Sequence, residues 1–101
     1  MHFKEGFHTY YIYIITNKAK SVLYTGVTND LRMRLLQHKN NILPKNITFA
    51  SKYNVEFLLY YEKITWIQEA IAREKEIKGW RKEKKLNLIK TINPDLEFLN
   101  Y

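Results

Sequence analysis

The 101 residues predict an α/β protein: a small three-stranded, mostly antiparallel sheet flanked by helices in the order ββαβαα. Three observations predict it. β-branched and aromatic residues fill His8 to Ile15 almost without exception and return from Val22 to Thr25, with the turn-like Asn17-Lys18-Ala19-Lys20-Ser21 between them, the pattern of a hairpin. Val55 to Glu62 repeats the character as a third strand. The stretches between and after these runs carry helical spacing, so helices pack on one sheet around one core.

Each element follows from its residues. Alternation in the first strand puts Tyr11, Tyr13 and Ile15 on one face and Tyr10, Ile12 and Ile14 on the other, both apolar enough to be covered. Gly26 is expected to end the second strand. Thr28 or Asn29 then caps a helix with Asp30 in its first turn and a stripe of Leu31, Leu35 and Ile42. Asn40 to Lys52, which holds Pro44, reads as the longest irregular stretch. Thr65 with Gln68 three residues on matches a capping box, opening a helix that runs to about Lys78 before Gly79. A last basic helix covers about Arg81 to Thr91, ahead of Asn93-Pro94. We expect a single domain over residues 1–101, with its core at about 9–96.

Composition narrows the function. The apolar fraction of 46% supplies one modest core. With no cysteine there is no disulfide, thiolate metal site or cysteine nucleophile. No apolar run approaches the roughly 20 residues that span a bilayer, and the N-terminus lacks a signal-peptide core, so the chain reads as soluble and cytoplasmic, a monomer or weak homodimer. The net charge of +7 favours polyanions, nucleic acid first among them. Arg32, Arg81, Lys82, Lys84 and Lys85 are the expected nucleic-acid contacts; a run of this kind gives affinity rather than sequence readout.

One acidic residue falls in an unexpected place. At about 100° per residue, Trp66, Ile67, Ala70, Ile71 and Ile77 share one broad helical face, and Glu74 lies near its middle while Glu69 and Glu76 point away. A carboxylate there must be paired, protonated or open to a cavity, because burying it alone costs several kcal/mol. It is either half of an ion pair with a basic residue of another element, or a metal ligand or acid-base group. In the first helix Arg34 and His38 are four residues apart and share a side, within reach of the hairpin. His2 and His8 have no spacing to His38 that would make a histidine metal cluster.

At these residues the chain resembles the GIY-YIG nuclease superfamily, and most closely its small stand-alone bacterial branch. Tyr11-Ile12-Tyr13 occupies the first motif, Tyr24-Thr25-Gly26 the second, and Gly26 to Leu31 leads into the helix bearing Arg34 and His38. Arg73-Glu74-Lys75 with Ile77-Lys78-Gly79-Trp80 resembles the segment of the metal-binding glutamate, and Asn93-Pro94 the C-terminal Asn-Pro. Two departures stand out: Tyr11 replaces the glycine that names the first motif, and Leu96 stands where an aromatic residue is frequent.

The resemblance implies a GIY-YIG-like fold and an endonuclease that hydrolyses phosphodiester bonds in nucleic acid, DNA ranking ahead of RNA with the choice left open, and with one Mg²⁺ or Mn²⁺ held by Glu74. It makes Tyr13, Tyr24, Arg34, His38 and Glu74 catalytic, with Gly26 and Asn93 in support. Arg34 would neutralise charge on the phosphate; Tyr13 leads as the group that orients or deprotonates water, with Tyr24 and His38 also able to carry the proton. Two other classes compete: a nucleic-acid-binding module of the same fold that cleaves nothing, and a protein-interaction domain in which Glu74 and Arg34 form only a buried ion pair.

Overall fold

The computed structural model describes residues 9–40 and 54–101. Ile42, Pro44 and the rest of the irregular stretch 41–52, together with His2 and His8, lie outside the described residues. Six elements follow in the order expected: β1 (Tyr10–Thr16), β2 (Leu23–Thr28), α1 (Leu31–Asn40), β3 (Phe57–Ile64), α2 (Ile67–Lys78) and α3 (Lys82–Lys90). The strands form one sheet in the order β2-β1-β3, antiparallel at both junctions.

Asn17 builds the hairpin turn. Its Oδ1 accepts from the backbone amides of Ser21 at 2.9 Å and Val22 at 3.3 Å, its Nδ2 donates to Ser21 Oγ at 2.9 Å, and Lys20 takes φ 58°. That turn sets Tyr13 opposite Gly26 and Ile14 opposite Thr25. Gly26 therefore does not end the second strand; it sits inside β2, which runs on to Thr28.

Central strand β1 is buried on both faces, as its alternation predicts. Ile12 and Ile14 pack with Leu59 and Tyr60 of β3, Ala70 and Ile77 of α2 and Ile89 of α3. Tyr13 and Ile15 pack with Leu31 of α1, Val55 and Leu58. A register shift between Ile14 and Ile15 lets Leu58, Leu59 and Tyr60 all be buried.

Helix boundaries differ from expectation in two places. Asp30 caps α1: its Oδ1 accepts from the Met33 amide at 3.1 Å, while Thr28 Oγ1 accepts from the Asp30 amide at 3.1 Å. At α2 the Thr65 capping box does not form, because the N-cap is Trp66 and no side chain bonds there. The apolar face is also narrower than drawn. Only Ala70, Glu74 and Ile77 of α2 are buried, whereas Trp66, Ile67 and Ile71 are exposed. Ala70 and Ile77 enter the core with Ile12, Ile14 and Leu59, while Trp66, Ile67 and Ile71 fall outside that contact.

Candidate active site

The geometry begins with an approach that only glycine permits. A Cβ on Gly26 would stand 2.4 Å from both Cζ and the hydroxyl oxygen of Tyr13, so the ring of Tyr13 can lie over β2 only while residue 26 has no side chain. The hydroxyl is thereby carried toward α1, where it meets His38 Nε2 at 2.9 Å. Tyr24 completes a cluster of three rings, its centroid 6.4 Å from that of Tyr13 and 5.5 Å from that of His38.

Leu31 and His38 are the buried residues of α1, with Arg34 and Leu35 half-buried on the same side, the spacing of one helical face. Arg34 Nε donates to Gln37 Oε1 at 3.2 Å, and the guanidinium acts on all three rings. Burial lowers His38 to about 4, with the charge of Arg34 second, so the imidazole is neutral at pH 7. Burial also drives the Tyr13 phenol well above its ordinary value, followed by the effect of Tyr24 and opposed by Arg34. Tyr24 is raised as well, chiefly by burial, with Lys78 pulling the other way. His38 Nδ1 is buried without a hydrogen-bond partner among the described residues.

Glu74 arrives from α2, and its negative charge reaches both Tyr13 and Tyr24. It is 9% exposed. Its Oε2 pairs with Lys78 Nζ at 2.7 Å, one turn along the same helix, and that ammonium also lies 5.5 Å from the Tyr24 ring centroid. Among the described residues the ion-pair partner of Glu74 is thus neither Arg34 nor a residue of another element. Lys78 is the site residue that sequence reasoning leaves out; its signal is the Glu-to-Lys spacing of four on one helix.

The remaining expected residues divide. Burial followed by the charge of Lys78 lowers Lys85, which brings α3 electrostatically to the same corner. Lys82 donates to the Ser21 carbonyl at 2.7 Å and Lys84 lies 4.4 Å from the Trp80 ring centroid, so both also brace the fold. Arg81 and Arg32 are exposed, and Arg32 acts on Tyr101 rather than on the three rings. Asn93 is buried away from the ring cluster. Its Nδ2 donates to the carbonyls of Leu59 and Glu97, each at 2.9 Å, and its Oδ1 accepts from the Glu97 amide at 3.0 Å, tying the C-terminal segment to β3.

Among the described residues no three His, Asp or Glu side chains gather into a closed metal cage. Glu74 nevertheless fits a hard divalent cation. Lys78 engages Oε2 and leaves Oε1 uncommitted among the described residues, and Mg²⁺ or Mn²⁺ with one protein carboxylate fills its shell with water and phosphate oxygen. No described helix is long and apolar enough to cross a membrane.

Fold and site together define a small α/β domain with two tyrosines on a hairpin, an arginine and a histidine on the next helix, and a glutamate on the helix after β3, the construction of the GIY-YIG nuclease superfamily. The chain belongs to the GIY-YIG family: the GIY-YIG catalytic domain matches residues 9–87. It is similar to a UPF0213 protein of Staphylococcus saprophyticus, 36% identical over 80 residues that cover 79% of this chain and 93% of the relative. A UPF0213 protein of Bacillus pumilus is 32% identical over 78 residues, 77% of this chain and 76% of that one. The fold matches the solution NMR structure of a UPF0213 protein from Bacillus halodurans with a TM-score of 0.53 at 25% identity, over 86% of this chain and 88% of that one.

Proposed function

We propose that this chain is a divalent-metal-dependent endonuclease that hydrolyses phosphodiester bonds in nucleic acid, with DNA as its substrate. The observation that carries the reading is Glu74, a nearly buried carboxylate with one oxygen uncommitted among the described residues, acting on the same Tyr13 and Tyr24 that face Arg34 and His38. Membership of the GIY-YIG family and the net charge of +7 support it.

Glu74 would hold Mg²⁺ or Mn²⁺ through Oε1, and the chemistry supplied there is charge stabilisation at the leaving oxygen. Arg34 binds the phosphate; its planar fork reaches two oxygens and neutralises charge as it builds. Tyr13 and His38 form the proton path. A phenol held neutral by burial is a poor base alone, but its hydroxyl is hydrogen-bonded to a neutral imidazole. With substrate bound and a water admitted to the Tyr13 oxygen, the phenol takes the water's proton as its own passes to His38 Nε2, and the phenol stays neutral throughout. Gly26 keeps the Tyr13 ring in place, and Tyr24 closes the side toward Lys78.

The test is cleavage of linear, nicked, flapped and single-stranded DNA with Mg²⁺ or Mn²⁺. Glu74→Ala and Arg34→Ala are each expected to lose at least about 10²-fold in rate. Equal activity in all three proteins overturns the site. The 2.7 Å pairing of Glu74 with Lys78 favours a second reading, a module that binds nucleic acid without cutting it, in which the acid is already neutralised. DNA binding without any Mn²⁺ effect at Glu74 selects that reading.

A further inference from the structure

A pocket of about 430 Å³ opens beside α1, on the flank of the helix next to the one that carries Arg34 and His38. Its helical wall is Arg32, Leu35, Leu36 and Lys39. At 100° per residue Arg32, Leu36 and Lys39 lie within one narrow stripe, with Leu35 between that stripe and the buried side. Glu56, Phe57 and Tyr101 form the facing wall. The volume falls in the roughly 300–1,000 Å³ range of small-ligand sites.

The walls have a consistent chemistry. Tyr101 is held in position by its hydroxyl, which donates to the Tyr11 hydroxyl at 2.7 Å, and by edge contacts with Tyr11 and Tyr61 at centroid distances of 5.6 and 5.2 Å. The residue nonetheless stays 39% exposed, and Leu36 opposite is 49% exposed. Phe57 is stacked on Phe98 at 4.3 Å with the rings 12° apart, a second fixed aromatic wall. Among the lining side chains two cations, Arg32 and Lys39, stand on the helical wall against the carboxylate of Glu56. An apolar slot with aromatic rings on one wall and leucines and cations on the other suits a flat aromatic group attached to an anionic backbone.

We infer that this pocket takes an unpaired nucleobase, so that the chain engages single-stranded or locally opened nucleic acid. The base enters between Leu36 and the Tyr101 and Phe57 rings, and Arg32 and Lys39 meet the flanking phosphates. A base inside a duplex is stacked and paired and presents no free face, so an intact duplex leaves the pocket empty. The inference rests on the nucleic-acid reading above and adds the form of the substrate.

The test uses the full chain in metal-free buffer with a short single-stranded DNA carrying 2-aminopurine at one central position, its duplex, and an RNA of the same sequence. Stacking quenches the fluorescence of the free probe. Tyr101→Ala and Leu36→Gln leave the net charge unchanged and alter exposed side chains. Each is expected to weaken single-strand binding about tenfold and to relieve quenching, with duplex affinity unchanged. Quenching by neither DNA nor RNA, or equal losses on single strand and duplex, overturns the pocket. Cleavage assayed in parallel separates the two proposals. A wild type that quenches the single strand but cuts nothing with Mg²⁺ or Mn²⁺ keeps the pocket and loses the nuclease. One that cuts while both variants bind like wild type keeps the nuclease and loses the pocket.

Discussion

The Tyr13 hydroxyl and His38 Nε2 meet at 2.9 Å between two buried side chains, Tyr13 being fully buried and His38 3% exposed. The pairing has a thermodynamic signature. His38 titrates at about 4 in the folded chain and at 6.5 without its surroundings, so between these values the unfolded state holds a proton that the folded state refuses. Stability from this group is complete above pH 6.5 and is lost as pH falls toward about 4. Urea unfolding across that window should show a slope of up to about 1.4 kcal/mol per pH unit from His38. The difference between wild type and His38→Gln isolates it, and identical slopes would contradict the neutral imidazole.

Gly26→Ala tests the approach of Tyr13 to β2. Its new Cβ would sit 2.4 Å from a fully buried ring, which must be pushed into its packed neighbours to make room. The expected loss is about 1–3 kcal/mol by denaturant unfolding, the usual cost of overpacking a filled core. Because the ring must move to relieve the clash, cleavage should fall further than the lost stability accounts for. A variant as stable and active as wild type would mean that the ring does not depend on the glycine.

The two faces of β1 are legible in the sequence because strand geometry sends successive side chains to opposite sides, whatever lies beyond. Glu74 is legible for a similar reason: helical spacing places it between Ala70 and Ile77. Other features depend on competition among neighbours. Thr28, Asn29 and Asp30 all carry oxygens able to cap α1, and local pattern does not rank them. Ile71 lies 100° round the helix from Ala70, and where the buried stripe ends is decided by the sheet, not by the helix. The contact of Tyr13 with Gly26 depends on a cross-strand register set by Asn17, three residues beyond β1's Ile14. Lys78 escapes notice because a lysine four residues after a glutamate usually marks a solvated pair.

Asn93→Ala should act on the fold and leave the chemistry alone. The side chain makes three hydrogen bonds, to Leu59 and twice to Glu97, and its loss strands the buried Leu59 carbonyl. About 1–3 kcal/mol of stability should go with it. Beyond Glu97 the segment is pinned by the Leu99 amide, which donates to the Leu58 carbonyl at 2.8 Å. Hydrogen exchange at Leu99 should therefore rise in the variant, with cleavage per folded molecule unchanged. A rate loss at full folding would instead tie Asn93 to the reaction.

Lys78→Met separates the role of the ammonium from that of the acid. In wild type Lys78 Nζ neutralises Glu74 at 2.7 Å and competes with any divalent cation for the same charge. Removing it leaves a nearly buried carboxylate without its partner, and the metal-free protein should lose about 1 kcal/mol, since the lysine itself is half exposed. The same change should tighten the hold on Mn²⁺. A ligand bound only by the folded state stabilises it by about 2.7 kcal/mol at a hundredfold excess over Kd, so the rise in Tm on adding Mn²⁺ measures the site without any cleavage. The expected order of that rise is Lys78→Met above wild type, with Glu74→Gln showing none. If Glu74→Gln responded to Mn²⁺ as wild type does, the cation would bind elsewhere, and Glu74 would be a structural acid kept in the core by its lysine.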